Sequence, residues 1–251
     1  MQPINITNKY LTAPEWLDQE RCGFSFYEGT HVWHISVSEN LPQLPYYLKL
    51  LKPDEIERAN RFHRQKDRDR FVISRAVLKQ LIGKYLILPA EAIEFVSGKN
   101  KKPFIKNDTG GQGLHYNMSH SNDAIVLAVQ GGYAVGVDVE FINNDFGYAE
   151  VLTDNFSRAE IAYIAETDAV NRFFKLWTRK EAITKATAQG LDCDLRLLPA
   201  LDGMFTVQPG IIASDENWQI SSFTIAGAYA VSIANNQPDD KMSFFKHQPG
   251  F

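Results

Sequence analysis

Three carboxylates and a lysine set the chemical possibilities of this 251-residue chain. In GVDVE, Asp138 and Glu140 stand two residues apart in an apolar run that reads as a strand, and a period of two turns both side chains to one face. Two like charges held so close repel and raise one pKa unless a cation lies between them, which is what a hard divalent metal favours; two solvated acids on a strand edge are the other reading. Magnesium suits the pair better than zinc, because few histidines or cysteines stand near as softer ligands. In WTRKEAITK, Trp177, Glu181 and Lys185 follow at four-residue spacing and share a helix face, with Lys180 and Thr184 on the adjoining stripe. That face either offers a carboxylate and an ammonium group to a ligand or buries Trp177 beside an ordinary surface ion pair. In NMSHSND, His120 lies between Ser119 and Ser121 just before an apolar strand, where the three donors either bind a phosphate or merely form a polar turn.

The elements that must position these groups follow from hydrophobic periodicity. A strand is expected around His31 to Val37, then two helices in LKPDEIERANRF and DRFVISRAVLKQLIGKYL, the second largely buried with Phe71, Ser74, Leu78 and Leu81 on one stripe. AIEFVSG and KPFI read as short strands flanking a basic stretch, and NDTGGQG as a turn. The apolar runs AIVLAV and YAVGVDVE, separated by Gly131 and Gly132, predict a hairpin. FSRAEIAYIAE opens with a capping box from Ser157 to Glu160, RFFKLWTRKEAITKAT is a helix ending near Gly190, and strands alternate with turns to the C-terminus. The pattern is α+β.

Composition narrows the function classes. A net charge of -4 gives no general reason to expect nucleic-acid binding. Two basic islands stand out locally, Arg58 to Lys79 and Lys99 to Lys106, and fit a compact polyanionic ligand or a solvated helix face in which Asp67 and Asp69 alternate with the cations. Cys22 and Cys193 make no metal or disulfide pattern, residues Met1 to Tyr10 do not resemble a secretory signal, and no apolar run approaches the roughly 20 residues of a membrane helix. A soluble cytoplasmic protein is expected.

Leu51, Glu55 and Ile56, followed by Arg70-Phe71 and a helix, are echoed by Phe156, Glu160 and Ile161, followed by Arg172-Phe173 and a helix. Taken in order, the basic segment with Arg70 and Arg75, then KKPF, NMSHS, GVDVE and WTRKEAITKA resembles the 4'-phosphopantetheinyl transferase superfamily, in the subgroup made of two similar fused halves. The resemblance runs from about Leu51 to Leu191. It implies an α+β fold of two similar halves about a pseudo-twofold axis, residues 1–130 and 131–251, with the active site in the cleft between them. It also implies transfer of phosphopantetheine from coenzyme A to a serine of an apo acyl or peptidyl carrier protein, by a monomeric enzyme.

By position, the same resemblance makes Asp138, Glu140 and Glu181 the magnesium ligands, Glu181 the base and Lys185 the group that stabilises the leaving bisphosphate, with Lys180 assisting. Arg58, Arg70, Lys102, Ser119 and His120 would hold the nucleotide end of coenzyme A. Three positions depart from the family pattern: Glu55 where some relatives have lysine, and Lys101 and Ala188 where glycine is common. Phe156, Ile161 and Ile164 would either meet an apolar carrier helix or pack in the core. Two other functions share these features, a noncatalytic coenzyme A or carrier-binding module and another magnesium-dependent phosphoryl or nucleotidyl transferase; no Gly-x-x-x-x-Gly-Lys loop favours a P-loop enzyme.

Overall fold

The computed structural model describes residues 2–97, 103–106, 113–190, 193–238 and 241–250. Among them, the helices are α1 (Val37–Asn40), α2 (Leu44–Leu50), α3 (Pro53–Asn60), α4 (Gln65–Leu86), α5 (Ala149–Asn155), α6 (Arg158–Glu166) and α7 (Ala169–Ala186). The strands of the first half are β2 (Trp16–Asp18), β3 (Thr30–Ser36), β4 (Phe95–Ser97), β5 (Pro103–Ile105), β6 (Leu114–Ser121) and β7 (Ala124–Gly131). Those that follow are β8 (Val135–Phe141), β9 (Gly203–Val207), β10 (Trp218–Ile225), β11 (Tyr229–Asn235) and β12 (Met242–Lys246), while β1 (Ile4–Tyr10) opens the chain.

Two five-stranded sheets result, in the orders β2-β12-β3-β7-β6 and β8-β11-β10-β1-β9, with β4 and β5 as a separate pair. The same unit is built twice. A strand, a long helix and a hairpin give β3, α4 and β6-β7 in the first half and β8, α7 and β10-β11 in the second. In each unit the leading strand lies antiparallel to the last strand of the hairpin, so that β3-β7-β6 repeats as β8-β11-β10. The echo in the sequence thus has a counterpart in topology, and the chain is an α+β fold of two similar halves.

α4 forms because apolar residues recur on several sides of its 22 residues. Val72, Ile73, Ala76, Val77 and Ile82 are fully buried, and with Trp33, Ile35 and Val129 they make the first core. Each such side chain contributes roughly 1.5–3 kcal/mol by leaving water. The expected stripe of Ser74, Leu78 and Leu81 is buried, with Phe71 half-buried beside it.

The hairpin expected at Gly131 and Gly132 is not there. β7 pairs with β3 and β6, β8 pairs with β11, and the glycines carry the chain from one sheet to the other. Gly131 passes so close to Phe26 that a Cβ would overlap it, and Gly132 takes φ +73. The true turn lies earlier, at Asn122 and Asp123 between β6 and β7, with Asn122 at φ +48, a conformation asparagine tolerates. NMSHS is accordingly a strand and not a turn.

The first and last strands of the chain cross between halves. β1 runs parallel to β10 in the second sheet, and β12 runs parallel to β3 in the first. Among the described residues no helix is long and apolar enough to cross a membrane.

Candidate active site at the seam between the halves

β6 and β8, edge strands of different sheets, come together through side chains. Along β6, Asn117, Ser119 and Ser121 alternate with Met118 and His120, so the three short polar residues share one face. The Val137 amide donates to Asn117 Oδ1 at 2.8 Å, Ser119 Oγ donates to Asp138 Oδ1 at 2.9 Å, and Ser121 Oγ donates to Glu140 Oε2 at 3.0 Å. Both carboxylates of GVDVE therefore belong to this seam.

α7 brings the third carboxylate. It lies directly on β8 because position 136 is glycine: a Cβ there would overlap the backbone of Ala182 and Ala186. Helical spacing then turns Glu181 and Lys185 toward the strand. Lys185 Nζ donates to Asp138 Oδ1 at 2.6 Å and to Ser119 Oγ at 3.1 Å. Trp177, one turn before Glu181, packs in the second half's aromatic core against Phe156 and Phe173.

Charge is concentrated here at some cost. Glu181 is pushed up to about 6 by burial first and then by Asp138, with Lys185 opposing and Glu140 adding to the rise. Glu140 is raised by burial and by Asp138, while the Ser121 hydroxyl and Lys185 work the other way. Asp138 is 2% exposed, and its Oδ2 has no hydrogen-bond partner. Asp138 Oδ2 is thus a buried carboxylate oxygen without a hydrogen-bond partner, on the residue whose charge helps raise both Glu140 and Glu181. Among the described residues no group of three or more His, Cys, Asp or Glu side chains is placed to hold a metal ion; the cation at Asp138 is the Lys185 ammonium group.

The basic groups arrange themselves around this centre unequally. Arg70, on the second turn of α4, pairs with Asp67 at 2.8 Å. His120 lies at the exposed end of β6, and its imidazole is held below its ordinary value by the protein packed around it and by the positive charges of Arg70 and Lys185. Ser119, His120, Arg70 and Lys185 are thus brought together from both halves. Arg58 is exposed and lies over the Phe71 ring at 5.2 Å, while Arg75 faces the same ring and Phe95. Glu55, the departure from the family pattern, pairs with Arg75 at 3.3 Å and with buried Lys79 at 3.0 Å, which partly neutralises this island. Lys102 and Lys101 lie outside the described residues.

Two expectations change. Lys180 does not reach the carboxylates: it is 1% exposed and donates to Glu160, Leu195 O and Leu198 O, because the stripe it occupies faces the interior of the second half. Glu160 closes the predicted capping box with Ser157 and is the counter-charge. Phe156 and Ile164 are core residues and Ile161 packs against them, so they are not an exposed docking surface. The exposed apolar side chains near the site are Phe141 and Phe146, which border a cavity of about 440 Å³ with Glu140, Ser121 and Trp177. Ala188, at φ +53 just past α7, adopts the backbone conformation that explains why glycine is common there.

The comparisons with known proteins divide the chain as the topology does. Residues 37–131 match the model of the 4'-phosphopantetheinyl transferase N-terminal region, and residues 134–234 match that of the 4'-phosphopantetheinyl transferase superfamily. The chain belongs to this superfamily. The change from one match to the next falls at the Gly131-Gly132 link. Similar transferases include the 4'-phosphopantetheinyl transferase HetI of Nostoc sp., 29% identical over 65% of this chain and 70% of its own length. The 4'-phosphopantetheinyl transferase gsp of Aneurinibacillus migulanus is 30% identical over 52% of this chain and 53% of its own. The L-aminoadipate-semialdehyde dehydrogenase-phosphopantetheinyl transferase of Rattus norvegicus is 23% identical over 87% and 78%. In this 4'-phosphopantetheinyl transferase fold, the seam of β6, β8 and α7 is the candidate active site.

Proposed function

We propose that this transferase moves the 4'-phosphopantetheine group of coenzyme A onto a serine of an acyl or peptidyl carrier protein, with adenosine 3',5'-bisphosphate as the other product. The observation that carries this is the convergence of Asp138, Glu140, Glu181 and Lys185 at the seam of two halves that both match the family. The similar proteins are named transferases, which favours transfer over a binding module without catalysis.

Asp138, Glu140 and Glu181 would hold magnesium, and the partnerless Asp138 Oδ2 supports that assignment. When bound, magnesium offsets the charge of the pyrophosphate and of the transition state. Glu181, whose carboxyl is pushed up to about 6 in the metal-free protein, is ionised at neutral pH and would take the carrier serine's proton. The serine oxygen bonds to the β-phosphorus as the bond from that phosphorus to the bridging oxygen breaks, and the leaving bisphosphate keeps the bridging oxygen. Lys185 stabilises the charge that builds there. His120 and Arg70, with Ser119, would hold the nucleotide end, and by the family resemblance Arg58 and Lys102 would assist them. Phe141 and Phe146 flank the approach of the carrier.

We place the protein in the cytoplasm as a monomer, in keeping with a single chain that supplies both halves of its own site. The test is to incubate it with coenzyme A, magnesium and an unmodified carrier, then weigh the carrier. A gain of one phosphopantetheine that disappears when the carrier serine is replaced is expected; no gain across fatty-acid, polyketide and peptide carriers would defeat the proposal.

A further inference from the structure

The hydroxyls of the seam have a direction. Ser121 Oγ accepts from the Phe141 amide at 3.0 Å, so its own proton is left for Glu140 Oε2, also at 3.0 Å. Ser119 is arranged alike: Lys185 Nζ donates to its Oγ at 3.1 Å, and its proton goes to Asp138 Oδ1 at 2.9 Å. In each case one carboxylate oxygen is tied to the first half. Asp138 Oδ2, the oxygen not so tied, is the buried atom without a partner.

The restraint on Glu140 is tighter than a single hydrogen bond suggests. Ser121 is anchored by the backbone of Phe141, the residue that follows Glu140, so the serine and the carboxylate close a small ring about one stretch of β8. The ring holds the glutamate side chain, which has three rotatable bonds, against the strand end at which it must meet a ligand.

We propose that Ser121 is a positioning residue for the divalent cation: it fixes Glu140 from the opposite half, so that the carboxylates converge only when the two halves are in register. The role rests on the assignment of Asp138, Glu140 and Glu181 as the cation ligands. A hydroxyl that only glued the halves together would affect every property of the cleft alike. A hydroxyl that orients Glu140 affects the metal and leaves the nucleotide end alone, because that end would rest on Arg70, which pairs with Asp67, and on His120.

The experiment uses the full chain with saturating coenzyme A and manganese as the probe, free manganese being read by electron paramagnetic resonance. Ser121→Ala is expected to weaken manganese binding about tenfold, and Ser121→Thr, which keeps the hydroxyl, to restore it. Affinity for adenosine 3',5'-bisphosphate without metal, measured by calorimetry, stays the same in all three proteins. Equal manganese affinity in the wild type and Ser121→Ala overturns the proposal, as does a parallel loss of nucleotide affinity or a threonine variant that folds without rescue. Wild-type protein that binds no manganese overturns the cation assignment together with this role. A serine-dependent manganese effect in a protein that adds no mass to any carrier leaves Ser121 in place and defeats the transferase proposal alone.

Discussion

α4 and α7 hold equivalent places in the repeated unit and bury different things. α4 meets its sheet mostly with aliphatic side chains, Tyr85 being the exception through its bonds to His31 and Trp33, while buried Lys79 pairs with Glu55 of α3. α7 buries Thr178, Arg179, Lys180 and Thr184 as well. Arg179 reaches Ser222, Ala200 O and Asp202, Lys180 reaches Glu160 and two carbonyls, and Thr178 reaches Ser232. Apolar contact is non-directional and tolerates small rotations of a helix, whereas these bonds do not. The first half supplies a platform whose basic residues, buried Lys79 apart, lie mostly toward the start of its helix; the second fixes the rotation of α7 about its axis, and with it the aim of Glu181 and Lys185.

The contrast can be broken at several points. Asp138→Ala is expected to cut transfer by roughly a hundred- to a thousandfold with the far-ultraviolet spectrum unchanged, as measured from the mass of the carrier over time. A comparable substitution in the apolar face of α4 should show up as lost stability before lost turnover. Lys180→Ala tests whether the buried pairs of the second half are structural: leaving Glu160 uncompensated should cost about 3–5 kcal/mol in urea unfolding, with the KM for coenzyme A unaltered in whatever fraction remains folded. His120→Ala should raise that KM about tenfold while kcat at saturation is retained; a fall in kcat alone would move His120 from the nucleotide end to the chemistry.

Groups buried beside the first sheet and at the seam should also respond oppositely to acid. His31, on β3, and His247, just past β12, are both pushed down to about 4 by burial, against 6.5 when free. Their neutral forms contribute stability above 6.5 that is lost as pH falls toward 4. Glu181, near 6 against 4.5, contributes stability that is present below 4.5 and lost as pH rises through about 6. In metal-free protein, Glu181→Gln should therefore remove a component of stability that grows on acidification, leaving a steeper loss between about pH 6.5 and about pH 4.5 than in the wild type. Urea midpoints across that range provide the measurement, and an unchanged slope would contradict the buried state of Glu181. Turnover should fall in acid as Glu181 takes up its proton, at a lower pH than in metal-free protein because a bound cation favours the carboxylate.

Periodicity made the chemical centre legible: the two-residue spacing of Asp138 and Glu140 and the four-residue spacing of Glu181 and Lys185 each survive intact in β8 and α7. Pairing between distant segments was not legible. Gly131 and Gly132 have the composition of a hairpin turn, and nothing local shows that the strands on either side belong to different sheets. Helical spacing placed Lys180 beside Glu181 without saying which stripe faces inward; the partner that decides it, Glu160, looked complete as a helix cap. Ser119 and Ser121 announced themselves as polar turn residues, while their bonds to Asp138 and Glu140 depend on two sheet edges meeting.

The crossing of β1 and β12 into each other's sheets bears on what could be taken apart. A cut at the Gly131-Gly132 link would leave one fragment carrying β1, a strand of the second sheet, and the other carrying β12, a strand of the first. Neither fragment can complete a sheet alone, and each holds the piece that the other lacks. The two halves repeat each other in topology, yet they are interlocked like clasped hands, so a split version of this transferase would work only as an obligate complementing pair.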